Sequence, residues 1–321
     1  METVTCNLCH SQEQRSVYSK PDGHYFTDEW FTVVECLNCG LGFVNPRPTA
    51  AEMSRFYPAD YYENDQREPA YHQRRYQLEA EIVQTITSPG GGLLLDIGCA
   101  NGNFPRQMQK LGWEVEAVEI SAHSEDVYGF QIYRKEFPQI PIQGPRYDAV
   151  TAWAVLEHVH DPAAHFRKVG EILKPGGVFV FLVTNFDSIS SRALFREDVP
   201  RHLYFFTEKT VREYLSRNGL TFISSQYRND LQMMRPVGWL RYYLYRLVGA
   251  TLTWKDIPPN RTEYFARKGL KHGIGSHVRY VICHPLTVID RLLMPLFEWL
   301  QIRRRTYGIV AYVARKEAHT S

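Results

Sequence analysis

Residues 93–104, LLLDIGCANGNF, decide how the rest of the chain is read. Three leucines run into Asp96, and Gly98, Ala100 and Gly102 follow at alternate positions before a helix-like segment opens. A buried strand feeding a turn of small residues lets backbone amides approach a nucleotide-like ligand closely. The turn reads D-x-G-x-A-x-G, which differs from the G-x-G-x-x-G of dinucleotide sites. Beyond it, WEVEAVEIS (113–121) has the pattern of a second strand, and its terminal acid, Glu119, lies about twenty residues past the turn. An acid at that distance can accept hydrogen bonds from both hydroxyls of a ribose.

The alternation continues outward. Strand one is expected over 92–97, a helix over 103–111, strand two over 114–119, and strand three over 130–133 after a short, weakly patterned segment. Strand four is YDAVTAWAV (147–155), followed by a helix over 161–173 that stops at Lys174-Pro-Gly-Gly. Strand five is 178–184, a helix capped by Thr207 runs to Asn218-Gly219, strand six is 220–227, and a last strand-like run covers 307–316. Strands alternating with helices in this way make a doubly wound α/β sheet. Upstream, Pro46, Pro48 and Thr49 start a short helix closed by Phe56, Tyr57, Tyr61 and Tyr62, and Leu78, Ile82 and Ile86 mark a helix before Pro89.

Cysteine usage defines a second feature. Cys6-x-x-Cys9 and Cys36-x-x-Cys39 are separated by 26 residues, and Gly40 follows the second pair. Two such knuckles put four thiolates within reach of one tetrahedral Zn²⁺, and four protein ligands make the site structural. His10 and His24 are not needed as ligands. Cys99 sits inside the small-residue turn, where it packs as a small apolar side chain, and Cys283 is read as a buried thiol.

The turn and Glu119 resemble the first motifs of the class I S-adenosylmethionine-dependent methyltransferases. LKPGGVFVF (173–181) is similar to the turn before their strand five, and AVLEHVHDP (154–162) to the post-strand-four segment of small-molecule enzymes such as those of quinone and natural-product synthesis. The resemblance implies a seven-stranded Rossmann-like methyltransferase sheet whose last two strands pair as an antiparallel hairpin. It implies S-adenosylmethionine contacts from Asp96, Gly98, Cys99, Ala100, Gly102, Glu119 and Ile120, with Trp153 lining the methionine side. The paired-cysteine ribbon with CGLGFVNPRPT and FYPADYY resembles the N-terminal region of bacterial methyltransferases of sugar and polysaccharide biosynthesis. Two departures stand out: the segment between strands two and three is shortened, and no clear residue marks the adenine contact, Glu136 being a weak candidate.

A class I donor is already activated, so the protein must orient the acceptor and remove its proton. His158 follows strand four at the carboxyl edge, where ligands of open α/β sheets bind, and packing there is its other reading. His202 lies in VPRHLYFFT after strand five, beside Arg201 and Tyr204, which suit an anionic or hydroxylated acceptor. His160 and His165 are read as surface residues. The resulting division is a zinc ribbon (1–45), a helical cap (46–89), a methyltransferase core (90–230), a helical insertion (231–306) and the final strand with its tail (307–321).

The chain has 321 residues, 44% hydrophobic and 22% charged, with a net charge of +2. A dedicated nucleic-acid domain is usually more basic, so no nucleic-acid partner is expected. METVTCNLC is too polar for a signal peptide, and no apolar run reaches membrane-spanning length. A cytoplasmic protein is expected. The insertion carries VGWLRYYLYRLVGATLTW (237–254) and HPLTVIDRLLMPLFEWLQIRRR (284–305). It can form a lid, a homodimer contact, or a peripheral contact with membrane or a lipid-linked substrate, and Asp290 and Glu298 are read as interrupting its second apolar face. The leading expectation is methyl transfer to a small-molecule acceptor, a sugar, glycan precursor or related metabolite. The sugar C-methyltransferases share the ribbon, but their catalytic Tyr/His/Glu segment is not found. The alternatives are an rRNA methyltransferase, disfavoured because the ribbon has few basic residues (Arg15, Lys20, Arg47), and a catalytically inactive zinc-ribbon interaction protein, disfavoured by the retained Asp96 and Glu119.

Overall fold

The computed structural model describes residues 1–22, 27–57, 69–87, 90–121, 129–232, 238–256 and 285–318. Three short strands, β1 (Gln14–Pro21), β2 (Trp30–Cys36) and β3 (Gly42–Val44), pair antiparallel in chain order. Helix α1 (Pro69–Ile86) then buries Leu78, Ile82 and Val83 against the main core. The alternating region follows: β4 (Leu93–Ile97), α2 (Asn103–Lys110), β5 (Glu114–Val118), β6 (Gln131–Tyr133), β7 (Tyr147–Trp153), α3 (Pro162–Ile172) and β8 (Leu173–Thr184). After it come α4 (Ile189–Arg192), β9 (Tyr204–Phe205), α5 (Glu208–Ser216) and β10 (Leu220–Gln226). The chain continues through α6 (Trp239–Leu247), α7 (Pro285–Leu292) and α8 (Met294–Arg303) to β11 (Ile309–Lys316).

The seven-stranded sheet has the order β10-β11-β8-β7-β4-β5-β6. The strands from β6 to β8 are parallel, and β11 runs antiparallel to both β8 and β10. The expected antiparallel hairpin of the last two strands is therefore present at the sheet edge. Parallel strands covered on both faces by helices read as near-continuous apolar runs, and β7 and β8 bury Ala149, Val150, Phe179 and Phe181 completely.

Two element ends differ from the sequence expectation. Strand β7 stops at Trp153, two residues early, because Ala154 takes a left-handed backbone (φ 57°) that breaks the ladder. Lys174-Pro-Gly-Gly does not separate helix from strand. Helix α3 ends at Ile172 and β8 begins at Leu173, with an irregularity between the Tyr147–Leu173 and Ala149–Val178 pairs taking up the extra residues.

The cysteine-bearing strands do not stand apart from the core. Strand β9 joins β3, closing a four-stranded sheet β1-β2-β3-β9. Asn7 donates to Asp161 (3.0 Å) and accepts from the Ala163 amide (2.9 Å) and the Tyr214 hydroxyl (2.8 Å). Lys20 donates to the carbonyls of Phe195 and Glu197, both at 2.9 Å.

In the insertion, Asp290 and Glu298 prove to be buried, at 1% and 8% exposure. Asp290 accepts from the Gly238 and Leu240 amides (2.7 and 2.9 Å), because the first amides of α6 lack partners inside the helix. Glu298 accepts from Asn229 at 3.1 Å. Neither acid is exposed on the helices' outer side, where Leu247, Val248, Leu292 and Leu296 are exposed beside Arg246 and Arg303. Among the described residues no helix is long and apolar enough to cross a membrane. Cys283, His24, Tyr61 and Tyr62 lie outside the described residues.

Candidate active site

Asp96, near the end of β4, is buried and accepts the Thr151 hydroxyl at 2.6 Å. Burial pushes its carboxyl well above the usual range, more than the threonine hydrogen bond lowers it. The chain then turns sharply, with Gly98 at φ +74° and its amide donating to the Val118 carbonyl at 2.8 Å. A Cβ on Gly98 would stand 2.6 Å from the Val155 side chain, so only glycine fits. Cys99 also donates its amide to Val118 (3.1 Å), and burial pushes its thiol up, as expected for an unreactive packed cysteine. Glu119 closes the turn from β5: its carboxylate accepts from the Ala100 amide at 2.9 Å and the Ser121 amide at 2.7 Å.

This turn forms one side of a cavity of about 490 Å³. Asp96, Gly98, Cys99, Ala100 and Asn101 lie on the turn side, with Phe104 and Trp153 packed edge to face at 5.4 Å. The Trp153 indole N–H is buried without a partner among the described residues. Helix α1 contributes Arg75, Tyr76 and Glu79, with the Arg75–Glu79 ion pair closed at 2.7 Å. The remaining wall is polar and comes from two loops: Glu157 and His158 after β7, Asp198 and His202 after β8.

The polar wall is held tightly. His158 and His202 pack edge to face with ring centroids 4.7 Å apart. His158 Nδ1 lies 3.1 Å from the Arg201 carbonyl and 3.2 Å from the Tyr57 hydroxyl. His202 Nδ1 faces the buried Glu197 carboxylate at 2.7 Å. Burial, and then the neighbouring His202, hold His158 down to about 3. For His202 burial acts against protonation, but the hydrogen bond and charge of Glu197 outweigh it and raise the pKa. Burial lifts the Glu157 carboxyl to about 7.

The cavity thus collects Asp96, Gly98, Cys99, Ala100, Trp153, His158 and His202 from the sequence expectation. Gly102, Glu119 and Ile120 do not line it. Gly102 starts α2 in a left-handed conformation, Glu119 braces the turn from behind, and Ile120 is 62% exposed. Tyr204 is corrected to a structural role. It is buried, accepts from Arg47 at 2.8 Å and donates to the His160 carbonyl at 3.2 Å, away from the cavity. Arg201 is fully buried between Asp22 (2.7 Å) and Asp198 (2.6 Å), so it binds no acceptor. Of the two histidines read as surface residues, His165 is buried and His160 is half-buried on the Pro48 carbonyl. Glu136 is exposed at a short helical turn outside the cavity, and Asp148 stands in β7, accepting from Leu93 and Lys174.

The sequence reading missed Glu157, Asp198, Glu197 and the Arg75–Glu79 pair. Their signals were present: an acid beside His158 in an apolar context, two acids before Pro200-Arg-His, and opposite charges at i,i+4 on a helix.

At the other end of β2, Cys6 and Cys39 place their Sγ atoms 3.4 Å apart, and Cys9 and Cys36 place theirs 3.5 Å apart. All four sulfurs lie within 4.8 Å of one another, and none is in a disulfide. A tetrahedron with Zn–S bonds of about 2.3 Å has edges of roughly 3.8 Å, so this donor set fits a zinc ion.

Residues 70–225 match the family model described as "Methyltransferase domain". Over 110 residues the chain is 34% identical to the ubiquinone biosynthesis O-methyltransferase of Xanthomonas axonopodis pv. citri, covering 31% of this chain and 46% of that protein. The enzyme of the same name from Cereibacter sphaeroides is 34% identical over 122 residues, covering 34% and 49%. The chain thus spans about half the length of the curated relatives it matches. Among solved structures, a chain from the complex of the Haloferax volcanii Trm112 methyltransferase activator with a methyltransferase superposes with a TM-score of 0.51 at 15% identity. The match covers 80% of this chain and 97% of that one. Residues 70–225 thus match a methyltransferase domain family, and the strand order of the seven-stranded sheet is that of Rossmann-like methyltransferases.

Proposed function

We propose that the chain transfers the methyl group of S-adenosylmethionine to a hydroxyl of a small-molecule acceptor. The observation that supports this is a single cavity with the small-residue turn on one side and Glu157, His158, Asp198 and His202 on the other. In the reaction the acceptor oxygen attacks the methyl carbon in line with the C–S bond. That bond breaks with its electron pair passing to sulfur, and the acceptor proton passes to the histidine wall. Orienting two reactants can supply up to roughly 7–11 kcal/mol, and a placed base typically adds about 10²–10⁴-fold. An oxygen acceptor is favoured because the matched relatives are named O-methyltransferases. Sugars and glycan precursors are polyols and remain within this reading.

Cys6, Cys9, Cys36 and Cys39 would hold a structural Zn²⁺, which stabilises the fold without entering the chemistry. The outer face of α6, α7 and α8 would contact an anionic lipid surface, supported by exposed Leu247, Val248, Leu292 and Leu296 and by Arg303 stacked on Trp299 at 4.4 Å. Flotation with anionic liposomes tests that contact, and recovery of all protein in the lipid-free fraction removes it.

Isothermal titration of S-adenosylmethionine and S-adenosylhomocysteine tests the main reading. Wild-type protein should bind both, and Glu119→Ala should bind at least about tenfold more weakly because the Ala100 and Ser121 amides lose their brace. Folded, zinc-loaded protein that binds neither would overturn the reading. A screen of diols, phenols and lipid-linked glycans then identifies the acceptor.

A further inference from the structure

We infer that a second cavity, between the N-terminal sheet and helix α6, is a binding site for a ring-bearing organic phosphate. Its volume is about 660 Å³, a size typical of small-molecule sites, and it shares no lining residue with the cavity beside Asp96. Three separate segments wall it. Strands β1 and β2 bring Tyr18 and Trp30, the turn after α4 brings Phe195, and α6 brings Tyr242 and Tyr245. The basic residues are Arg192, Arg246 and Lys255, and no aspartate or glutamate stands among the described lining residues.

The aromatic residues suit the ring of such a ligand. Trp30 is 54% exposed, although tryptophan is highly buried on average. Tyr242 and Tyr245, three positions apart, share a face of α6. Such rings present flat apolar faces to a planar ring or to the C–H face of a sugar.

The basic residues suit the anion. Arg192 is committed to the wall, since it pairs with Glu35 at 2.7 Å and lies 4.2 Å over the Phe186 ring. Arg246 is exposed and donates to the Tyr242 hydroxyl at 3.2 Å, and no carboxylate pairs with it among the described residues. Its planar fork matches the oxygens of a phosphate. Lys255 adds a second positive charge to the same cavity, which favours a dianion.

Phe195 is an independent observation. Its backbone is left-handed, at φ 55°, which is costly for a bulky residue and persists only where the surroundings enforce it. The Tyr18 ring meets its ring edge to face at 5.0 Å, and Lys20 holds its carbonyl at 2.9 Å. The same lysine holds the carbonyl of Glu197, whose carboxylate faces His202 in the other cavity. A ligand against Phe195 therefore bears on the loop that carries the polar wall.

The test uses full-length, zinc-loaded protein saturated with S-adenosylhomocysteine to fill the cavity beside Asp96. Phenyl phosphate and glucose 1-phosphate are titrated by calorimetry, with inorganic phosphate and phenol as controls. At least one ring-bearing phosphate should bind once per chain with a Kd below about 1 mM, and each control should bind at least about tenfold more weakly. The tighter of the two tells an aromatic ring from a sugar ring. Arg246→Glu and Trp30→Ala, both at exposed side chains, should each weaken binding by about tenfold or more, with zinc content and S-adenosylhomocysteine affinity unchanged. The two positions lie on different walls, so a folding defect in one leaves the other as the measure. Binding of neither compound, binding of inorganic phosphate as tight as that of both, or undiminished binding in either folded variant would overturn the inference. The site does not depend on methyl transfer: protein that binds a ring-bearing phosphate but not S-adenosylhomocysteine rejects the methyl-transfer reading and leaves this site standing.

Discussion

Gly98 shows how far a single residue determines the turn side of the cavity. Its φ of +74° and the 2.6 Å that a Cβ would leave to Val155 act in the same direction. Gly98→Val should lose about 1–3 kcal/mol of stability and also lose S-adenosylhomocysteine binding, read by urea denaturation and titration calorimetry. Binding at wild-type strength would mean the turn relaxes freely. His165 offers a pH test. It is buried in α3, donates from Nδ1 to the Asp161 carbonyl at 2.9 Å, and burial lowers its pKa. The unfolded chain takes a proton near pH 6.5, while the folded chain resists it. The contribution is therefore complete above about pH 6.5 and is lost as pH falls below it, at up to about 1.4 kcal/mol per pH unit. His165→Gln keeps a donor but cannot titrate, so its stability should fall less between about pH 7.5 and 5.5. Equal slopes for the two proteins would assign the acid sensitivity elsewhere. At this scale the sequence was informative where the backbone turn itself demands the residue, as at Gly98. It misled where a polar side chain had two credible environments: Arg201 and Tyr204 are spent on partners 145 to 179 residues away, which no local pattern reveals.

At the scale of elements, periodicity and caps located the strands of the seven-stranded sheet and the helices between them, but not the short elements β1, β3, β9 and α4, and the ends depended on pairing. Lys174-Pro-Gly-Gly reads as a stop in isolation, yet β7 lies alongside it and recruits Leu173 into the sheet. The insertion was the least legible part, because its acids look outward in sequence and turn inward in the structure. Asp290 is the clearest case, satisfying two amides at the start of α6 from a position about fifty residues later. Asp290→Ala should cost about 1 kcal/mol, the usual worth of such a cap. Hydrogen exchange over 238–247 should rise selectively. Unchanged exchange there would mean that the Trp239–Phe297 stack, at 4.3 Å, holds the helix by itself.

For the whole molecule, the sequence suggested a separable zinc ribbon placed before a catalytic core, and the structure joins the two. The cysteine-bearing sheet takes its fourth strand from Tyr204–Phe205, immediately beyond His202. Arg201 clamps the same loop to Asp22, and Lys20 holds the carbonyls of Phe195 and Glu197. If the four cysteines hold zinc as proposed, its removal should loosen the polar wall of the cavity as well as the knuckles, since structural zinc commonly contributes folding energy outright. Treatment with a strong chelator should raise hydrogen exchange in 1–47 and in 195–206 together, while β4, β7 and β8 stay protected. Parallel strands with fully buried side chains hold the stable end of such a distribution. S-adenosylhomocysteine should still bind the chelated protein, since the turn from Asp96 to Gly102 belongs to the other sheet, whereas acceptor turnover should fall. Exchange confined to 1–47 would show that the shared strand holds without the metal, and that zinc serves the N-terminal sheet alone.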